Sequence, residues 1–440
     1  MNSYGIVTER DVEVPMRDGV LLRANVFRPD GPGAFPGILL RTPYGKPETG
    51  YDRYVRAGFA VVTQDSRGRY ASDGDYVPFT EADTGDAEDG YDAVEWLAAR
   101  SWCDGKVGTL GASYNAWMQW QLAKLRPPHL LAMCAYTIPL ELTAVDWPGS
   151  FRPGRRIKWW LTTMAPDLRR RAGWPAPHTT DEARALWDEI EGEGHWIGYL
   201  PWQDFPRHLP PGLRQYCENW LAEPNRRPWR FDEVHQHVEV PNLDFSGWYD
   251  HCNDSMRHLQ LMQTNGGSEV ARRATKLVCG PWNHPGLGQR QIDAFDFGPQ
   301  AQLDLPDIII RWFDHWLKGI DNGIAAEPAV RYFAMGMRAA GARPKPGHRR
   351  RPPNSCIWPA PGMRAMSPAA VNLARLRSRP PRRRWIDLTT TPPTPRRHSG
   401  AKPGLPDRGI AASYSTDRIS SVIARRHYRR LSRSQVMLRL

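Results

Sequence analysis

The chain of 440 residues has no long apolar run, and none of its apolar stretches reaches the ~18 residues that a membrane-spanning helix requires. Its first residues, MNSYGIVTERDVEVP, contain no apolar segment of the kind found in a secretory signal. The six cysteines form no CxxC pair and have no spacing typical of a zinc site. We therefore expect buried, reduced thiols, a cytoplasmic location, no membrane partner and no bound metal.

Glutamate is absent from residues 338–440, which hold 24 Lys and Arg, three Asp and 14 Pro, for a net charge of +21. The residues before them carry −9, so the overall charge of +12 describes neither part. One interpretation is a disordered tail, because this composition buries too little apolar surface to offset its ordering entropy. A second is a change of reading frame near Gly336. A third is a basic arm that binds nucleic acid, although aromatic residues to stack on bases are few.

The first third of the chain predicts an α/β fold with a mostly parallel sheet. Apolar residues alternate with polar ones on both sides of Asp18-Gly19, which predicts a hairpin over 11–28. Further elements follow as continuous apolar runs typical of buried strands and as helical patterns: strands at 36–42, 58–65 and 106–113, and helices at 86–99 and 115–125. Strand and helix alternation of this kind is typical of parallel sheets.

The middle of the chain predicts an insertion in this fold. Residues 141–237 are rich in Trp, Pro and Arg and contain no clear strand, which favours short helices and loops. Strand patterns resume at 238–250 and 274–284, and an amphipathic helix is predicted over 305–319, ending at a glycine. The predicted divisions are a first α/β part, a helical insertion, a second α/β part and a degenerate basic region: 1–140, 141–237, 238–325 and 326–440.

Ser113 is the first candidate for chemistry. It lies in Gly111-Ala112-Ser113-Tyr114-Asn115, between a predicted strand and a predicted helix. A serine on such a tight turn is exposed at the carboxyl edge of the sheet, above a helix N-terminus. The full pattern is G-x-S-x-G, and Asn115 takes the place of the second glycine. An ordinary strand-to-helix turn therefore stays open as the alternative.

A serine nucleophile requires a base and a residue that orients the base. Asp250 and His284 each follow a predicted strand, in the chain order Ser, Asp, His that this class of fold uses. Asp254 is a nearby alternative to Asp250, and a histidine after a strand is often only a packing or surface residue. The three residues together favour a catalytic triad.

Six motifs are spaced along the chain: RTPYGK (41–46), DSRGRYASDG (65–74), WCDGKVGTLGASY (102–114), GWYDH (247–251), GPWNHPG (280–286) and WFDHWLKG (312–319). Together they resemble the CocE/NonD serine hydrolases, the group of cocaine esterases, α-amino-acid ester hydrolases and bacterial X-prolyl dipeptidyl peptidases. The resemblance implies an α/β-hydrolase domain, an inserted helical cap and a C-terminal jelly-roll β-domain. That β-domain is not recognisable after residue 336.

The resemblance also implies the roles of five residues. Ser113 would be the nucleophile, His284 the general base and Asp250 its orienting group, while the Tyr114 backbone N–H and the Tyr44 hydroxyl would form the oxyanion hole. It implies a small ester or amide substrate, no cofactor and assembly as a homodimer, with the oligomeric state open. Two alternatives remain: an X-prolyl dipeptidyl peptidase, or an inactive remnant whose basic tail binds nucleic acid. Trp147, Trp159 and Trp160 predict either an aromatic entrance or core packing.

Overall fold

The computed structural model describes these parts of the chain: 4–79, 85–140, 153–191, 195–196, 198–222, 233–252 and 254–335. The basic segment from residue 338 onward, and with it the three interpretations of that segment, lies outside the described residues. Among the helices that are described, none is long and apolar enough to cross a membrane.

A central β-sheet positions the functional residues. Its first six strands are β1 (Ile6–Pro15), β2 (Leu21–Pro29), β3 (Phe35–Thr42), β4 (Ala60–Asp65), β5 (Cys103–Ala112) and β6 (Leu130–Tyr136). They are arranged in the order β1-β2-β4-β3-β5-β6. β2 is antiparallel to both β1 and β4, and the remaining pairs are parallel. The predicted hairpin and the predicted mostly parallel sheet are therefore confirmed.

The sheet continues into the second half of the chain. Three further described strands belong to it: β7 (Leu243–Gly247), β8 (Lys276–Gly280) and β11 (Val330–Tyr332). Two short strands, β9 (Gln291–Ile292) and β10 (Phe295–Asp296), pair with each other as a separate sheet. β7, β8 and β11 are parallel neighbours, and a parallel bridge between Met133 and Asn242 joins β7 to β6. The Asn242 side chain strengthens this junction, because it accepts from the Ala135 N–H and donates to the Ala135 carbonyl (2.8 and 2.9 Å).

Helices cover both faces of the sheet. Before the helical insertion, the described α-helices are α1 (Asp52–Arg56), α2 (Asp86–Ala98) and α3 (Tyr114–Ala123). After the insertion, which contains α4 to α7, they are α8 (Ser255–Asn265), α9 (Glu269–Ala274) and α10 (Leu305–Lys318). One apolar core lies under α2 and α3, and a second lies under α1 and α10. α10 ends at Gly319, whose φ of +71° closes the helix as the sequence predicts.

The described residues between β6 and β7 form helices joined by turns and loops, and they contain no strand. It contains α4 (Pro153–Trp159), a π-helical turn (Trp160–Met164), α5 (Ala165–Arg171), α6 (Thr180–Glu191), a 3₁₀ helix (Trp202–His208) and α7 (Pro211–Ala222). Its interior is aromatic, and Trp160 stacks on Phe205 with ring centroids 5.8 Å apart. The division of the chain at 141–237 stays a prediction, while β11 extends the sheet beyond the boundary predicted at residue 325.

Candidate active site

Ser113 lies on a strained turn between β5 and α3. Its φ of +59° and ψ of −122° are backbone angles that residues other than glycine rarely adopt. The turn is held from both sides, because the Ser113 N–H donates to the Tyr136 carbonyl (3.0 Å) and the Ser113 carbonyl accepts from the N–H groups of Ala116 and Trp117. The strain is thus held by neighbouring backbone, as expected of a nucleophile elbow.

Asn115 fits this turn in spite of its bulk. A Cβ placed on Gly111 would lie 2.6 Å from the Asn115 Cβ, so the two positions cannot both carry a side chain. Gly111 is therefore the glycine that the turn requires, and its φ of +153° suits that residue. Gln119 on the next turn of α3 donates to the Gly111 carbonyl (3.1 Å) and holds the strand end against the helix.

The half-buried His284 and the buried Asp250 form a hydrogen-bonded pair. His284 Nδ1 lies 2.9 Å from Asp250 Oδ1 and 3.1 Å from Oδ2. Asp250 is buried, and its Oδ1 also accepts from the Cys252 N–H (2.7 Å), which fixes the carboxylate. The rival Asp254 instead lies at the N-terminus of α8 and accepts from the Leu140 N–H (3.3 Å). Asp250 is therefore the carboxylate that contacts His284.

Two further side chains that could bind a metal ion, His251 and Cys252, lie beside this pair. The ligand atoms of Asp250, His251, Cys252 and His284 all lie within 4.8 Å of one another, and the rings of His251 and His284 are 4.4 Å apart. Imidazole, thiolate and carboxylate together suit Zn²⁺ or a similar cation. A metal bound there would compete with the His284–Asp250 hydrogen bond, so the cluster fits an inhibitory ion better than a resident one.

Tyr44 follows β3, and its side chain reaches Ser113. Burial of the hydroxyl raises the pKa of Tyr44 to about 12, against the opposing effects of hydrogen bonds to Trp159 and Ser113 and of the nearby Arg156 charge. The hydroxyl therefore stays protonated at neutral pH and is able to donate a hydrogen bond. The Tyr44 ring packs edge-on against the ring of Tyr114, with centroids 6.4 Å apart.

Tyr114 is anchored by its side chain. Its hydroxyl donates to Asp86 Oδ2 (3.0 Å) and accepts from the Phe79 N–H (2.6 Å). The Phe79 ring stacks on the Tyr114 ring, with centroids 4.0 Å apart. Burial raises the pKa of Asp86 to about 6. Tyr114 is the first residue of α3, where a backbone N–H has no partner within the helix. The locked side chain thus fixes the direction of an N–H that is available to a ligand.

Arg69 is a positioning residue that the sequence did not single out. It is fully buried, and its guanidinium donates to the carbonyls of Pro43 and Met164, both at 2.8 Å. Because Pro43 precedes Tyr44, Arg69 ties the backbone at Tyr44 to the helical segment. The motif DSRGRYASDG (65–74) contains Arg69, but its positioning role depends on contacts with residues 26 and 95 positions away in the chain.

One cavity of about 690 Å³ brings the predicted residues together. Ser113, Tyr44, Tyr114 and His284 all line it, and Asp250 lies behind His284. α4 and α6 of the helical segment supply further walls, including Trp159 and three cations that are described below. Trp160 is instead part of the buried core, and Trp147 lies outside the described residues. The arrangement has the groups needed for acyl transfer: a hydroxyl, a carboxylate-paired imidazole and two hydrogen-bond donors.

The strand order, the elbow at Ser113 and the helical insertion after β6 define an α/β-hydrolase, and the fold is that of a serine hydrolase. A family model described as X-Pro dipeptidyl-peptidase (S15 family) matches residues 18–286. The chain therefore belongs to the S15 family, which confirms the resemblance drawn from its motifs.

Known proteins similar to this chain include two esterases. A cocaine esterase of Rhodococcus sp. (strain MB1 Bresler) is 29% identical over 347 residues, covering 74% of this chain and 58% of its own. A putative serine esterase of Mycobacterium bovis is 27% identical over 385 residues, covering 73% and 58%. The chain thus spans under two thirds of the length of these relatives.

Two solved structures share the fold. An aminopeptidase from a marine sediment archaeon, Thaumarchaeota archaeon, has a TM-score of 0.52 at 20% identity and covers 76% of this chain and 58% of its own. An α-amino acid ester hydrolase has a TM-score of 0.51 at 22% identity and covers 75% and 57%. Both likenesses concern the fold, because the sequence identities are low.

Proposed function

We propose that this chain cleaves a carboxylic ester, or an amide, through an acyl-enzyme formed on Ser113. The observation that carries the proposal is the sharing of one cavity by Ser113, on its strained elbow, and His284, which is paired with the buried Asp250. Family membership supports the same class of chemistry.

The proposed mechanism assigns each group one task. His284 takes the proton of the Ser113 hydroxyl as Oγ attacks the substrate carbonyl carbon, and Asp250 stabilises the imidazolium through Nδ1. The carbonyl oxygen becomes an oxyanion, which the Tyr44 hydroxyl and the Tyr114 backbone N–H stabilise. His284 then gives its proton to the leaving alcohol or amine, and the C–O or C–N bond breaks. Water, activated by His284, releases the acid and restores Ser113.

An ester fits the described cavity better than the peptide of an X-prolyl dipeptidyl peptidase. A free α-amino group is bound by carboxylates, and the charged side chains that line the described cavity wall are cationic. The dipeptidyl-peptidase alternative therefore depends on acidic residues outside the described part of the chain.

The cytoplasmic location and the homodimer predicted from the sequence also stay proposals. The five described cysteines are buried free thiols, which supports a reducing compartment.

Rapid-mixing kinetics with a p-nitrophenyl ester test the acyl-enzyme directly. We expect a burst of p-nitrophenol equal to the enzyme concentration, because acylation precedes slower deacylation. Ser113→Ala should remove both the burst and the turnover, while Ser101→Ala, which changes an exposed serine in a turn, should keep both. Turnover by Ser113→Ala at the wild-type rate would refute the proposal.

A further inference from the structure

We propose that the cavity has a cationic subsite, formed by Arg156, Lys158 and Arg184, and that the enzyme prefers substrates with an anionic group, such as a carboxylate, away from the scissile carbonyl. All three side chains line the same cavity as Ser113 and His284. The inference names the substrate class of the proposed hydrolase and rests on that function.

Arg156 is a buried cationic residue in the wall of the cavity. Its side chain is only 6% exposed, and its guanidinium lies 5.1 Å from the centroid of the Trp159 ring. The charge reaches the reaction centre, because it acts on the Tyr44 hydroxyl that contacts Ser113. An anion in the cavity would therefore interact with Arg156 at low dielectric, where a charge interaction is stronger than in water.

Lys158 and Arg184 extend the positive potential toward solvent from two helices. Both are exposed, and Lys158 lies on α4 while Arg184 lies on α6. Lys158 Nζ lies 5.6 Å from the centroid of the Trp187 ring and 3.9 Å from Asp188 Oδ1. That ion pair is long and solvent-exposed, so it neutralises little of the lysine charge.

The sign of the lining charge is uniform in the described part of the cavity. The charged side chains on its wall are the three cations, and no described Asp or Glu side chain lines it. A positive cavity attracts anions and repels ammonium groups, and low-dielectric walls focus that field. The same charge pattern therefore selects acidic esters and disfavours substrates with a free amine.

Matched p-nitrophenyl esters measure this preference on the acyl side: monoadipate (anionic), hexanoate (neutral) and 6-aminohexanoate (cationic). We expect kcat/KM to fall in that order at low salt. A second pair, 4-carboxyphenyl acetate and phenyl acetate, places the charge on the leaving group. Comparison of wild type with the variants cancels the intrinsic reactivity of each ester.

The double substitution Lys158→Gln and Arg184→Gln removes the two exposed charges and leaves the buried Arg156 in place. Each charge is expected to contribute about two- to fivefold, so the anionic-to-neutral ratio should fall about 4- to 25-fold in at least one pair. Arg273→Gln is the matched control, because it removes an exposed arginine on α9 that does not line the cavity. The wild-type ratio should also fall between ~0.01 M and ~1 M salt, as the Debye length decreases from ~30 to ~3 Å.

Each outcome decides between the two proposals. A ratio that is unchanged in the double variant for both pairs, or a preference for the cationic ester, would overturn the subsite while the hydrolase function stands. Hydrolysis of none of the esters would refute the proposed function instead. The subsite is then judged by calorimetry on Ser113→Ala, where monoethyl adipate should bind more tightly than ethyl hexanoate, and equal or weaker binding would overturn it.

Discussion

Tyr44→Phe removes one hydroxyl and leaves the ring in place, so it isolates the proposed oxyanion donor. The structure supports two donors at this position, the Tyr44 hydroxyl beside Ser113 and the Tyr114 backbone N–H at the start of α3. Loss of one such donor typically costs about 10²–10³ in kcat, or about 2.7–4 kcal/mol of transition-state stabilisation. We expect this loss in kcat, with KM changed far less, because the donor acts on charge that develops only in the transition state.

The same substitution should have little effect on folding. The Phe ring keeps the edge-on packing against Tyr114, and the lost hydrogen bonds contribute about 1 kcal/mol each to stability. Steady-state kinetics on a p-nitrophenyl ester and thermal unfolding are the assays. Tyr70→Phe is the matched control, since Tyr70 lines the same cavity but its ring packs on Arg69. A loss below about tenfold for folded Tyr44→Phe would refute the assignment of its hydroxyl.

Three further predictions concern Asp250, Asp244 and the possible metal ligand Cys252. Asp250→Asn should lower kcat by about 10⁴ near neutral pH, because the amide leaves the wrong imidazole tautomer; kinetics with unchanged circular dichroism would check this, and a loss under about tenfold would contradict it. Burial raises the pKa of Asp244 from 3.8 to about 8, so its folded form holds a proton that the unfolded chain loses, and stability should fall as pH rises from about 4 to 8. Asp244→Asn should flatten this slope in urea unfolding; an unchanged slope would show that other groups cause it. Added Zn²⁺ should inhibit hydrolysis, a chelator should reverse the inhibition, and the Cys252→Ala variant should be inhibited less than the wild type. Equal inhibition of the wild type and the variant would exclude the thiol as a ligand.

Local patterns predicted the frame of the fold. The continuous apolar runs gave β3, β4 and β5 because strands covered on both faces have no polar alternation. β6 and β11 were not predicted. The run LLAMCAY of β6 has the same composition as a buried helical segment, and β11 has only three residues, so its position depends on pairing with β8.

The candidate triad could be predicted from the order of the strands, whereas contacts that depend on tertiary packing could not. Ser113, Asp250 and His284 each follow a strand in a fixed order, so their convergence at one edge of the sheet follows from topology. The role of Arg69 and the cationic wall formed by α4 and α6 depend on tertiary contacts that leave no local pattern.

Intact-mass spectrometry after treatment with a fluorophosphonate tests the central claim most directly. The probe phosphonylates a serine that an adjacent histidine activates, so it reports the assembled site independently of the substrate. The account predicts one adduct on the wild-type chain and on the exposed-serine control Ser101→Ala, and none on Ser113→Ala. No adduct on folded wild-type protein, or an adduct that persists in Ser113→Ala, would contradict it.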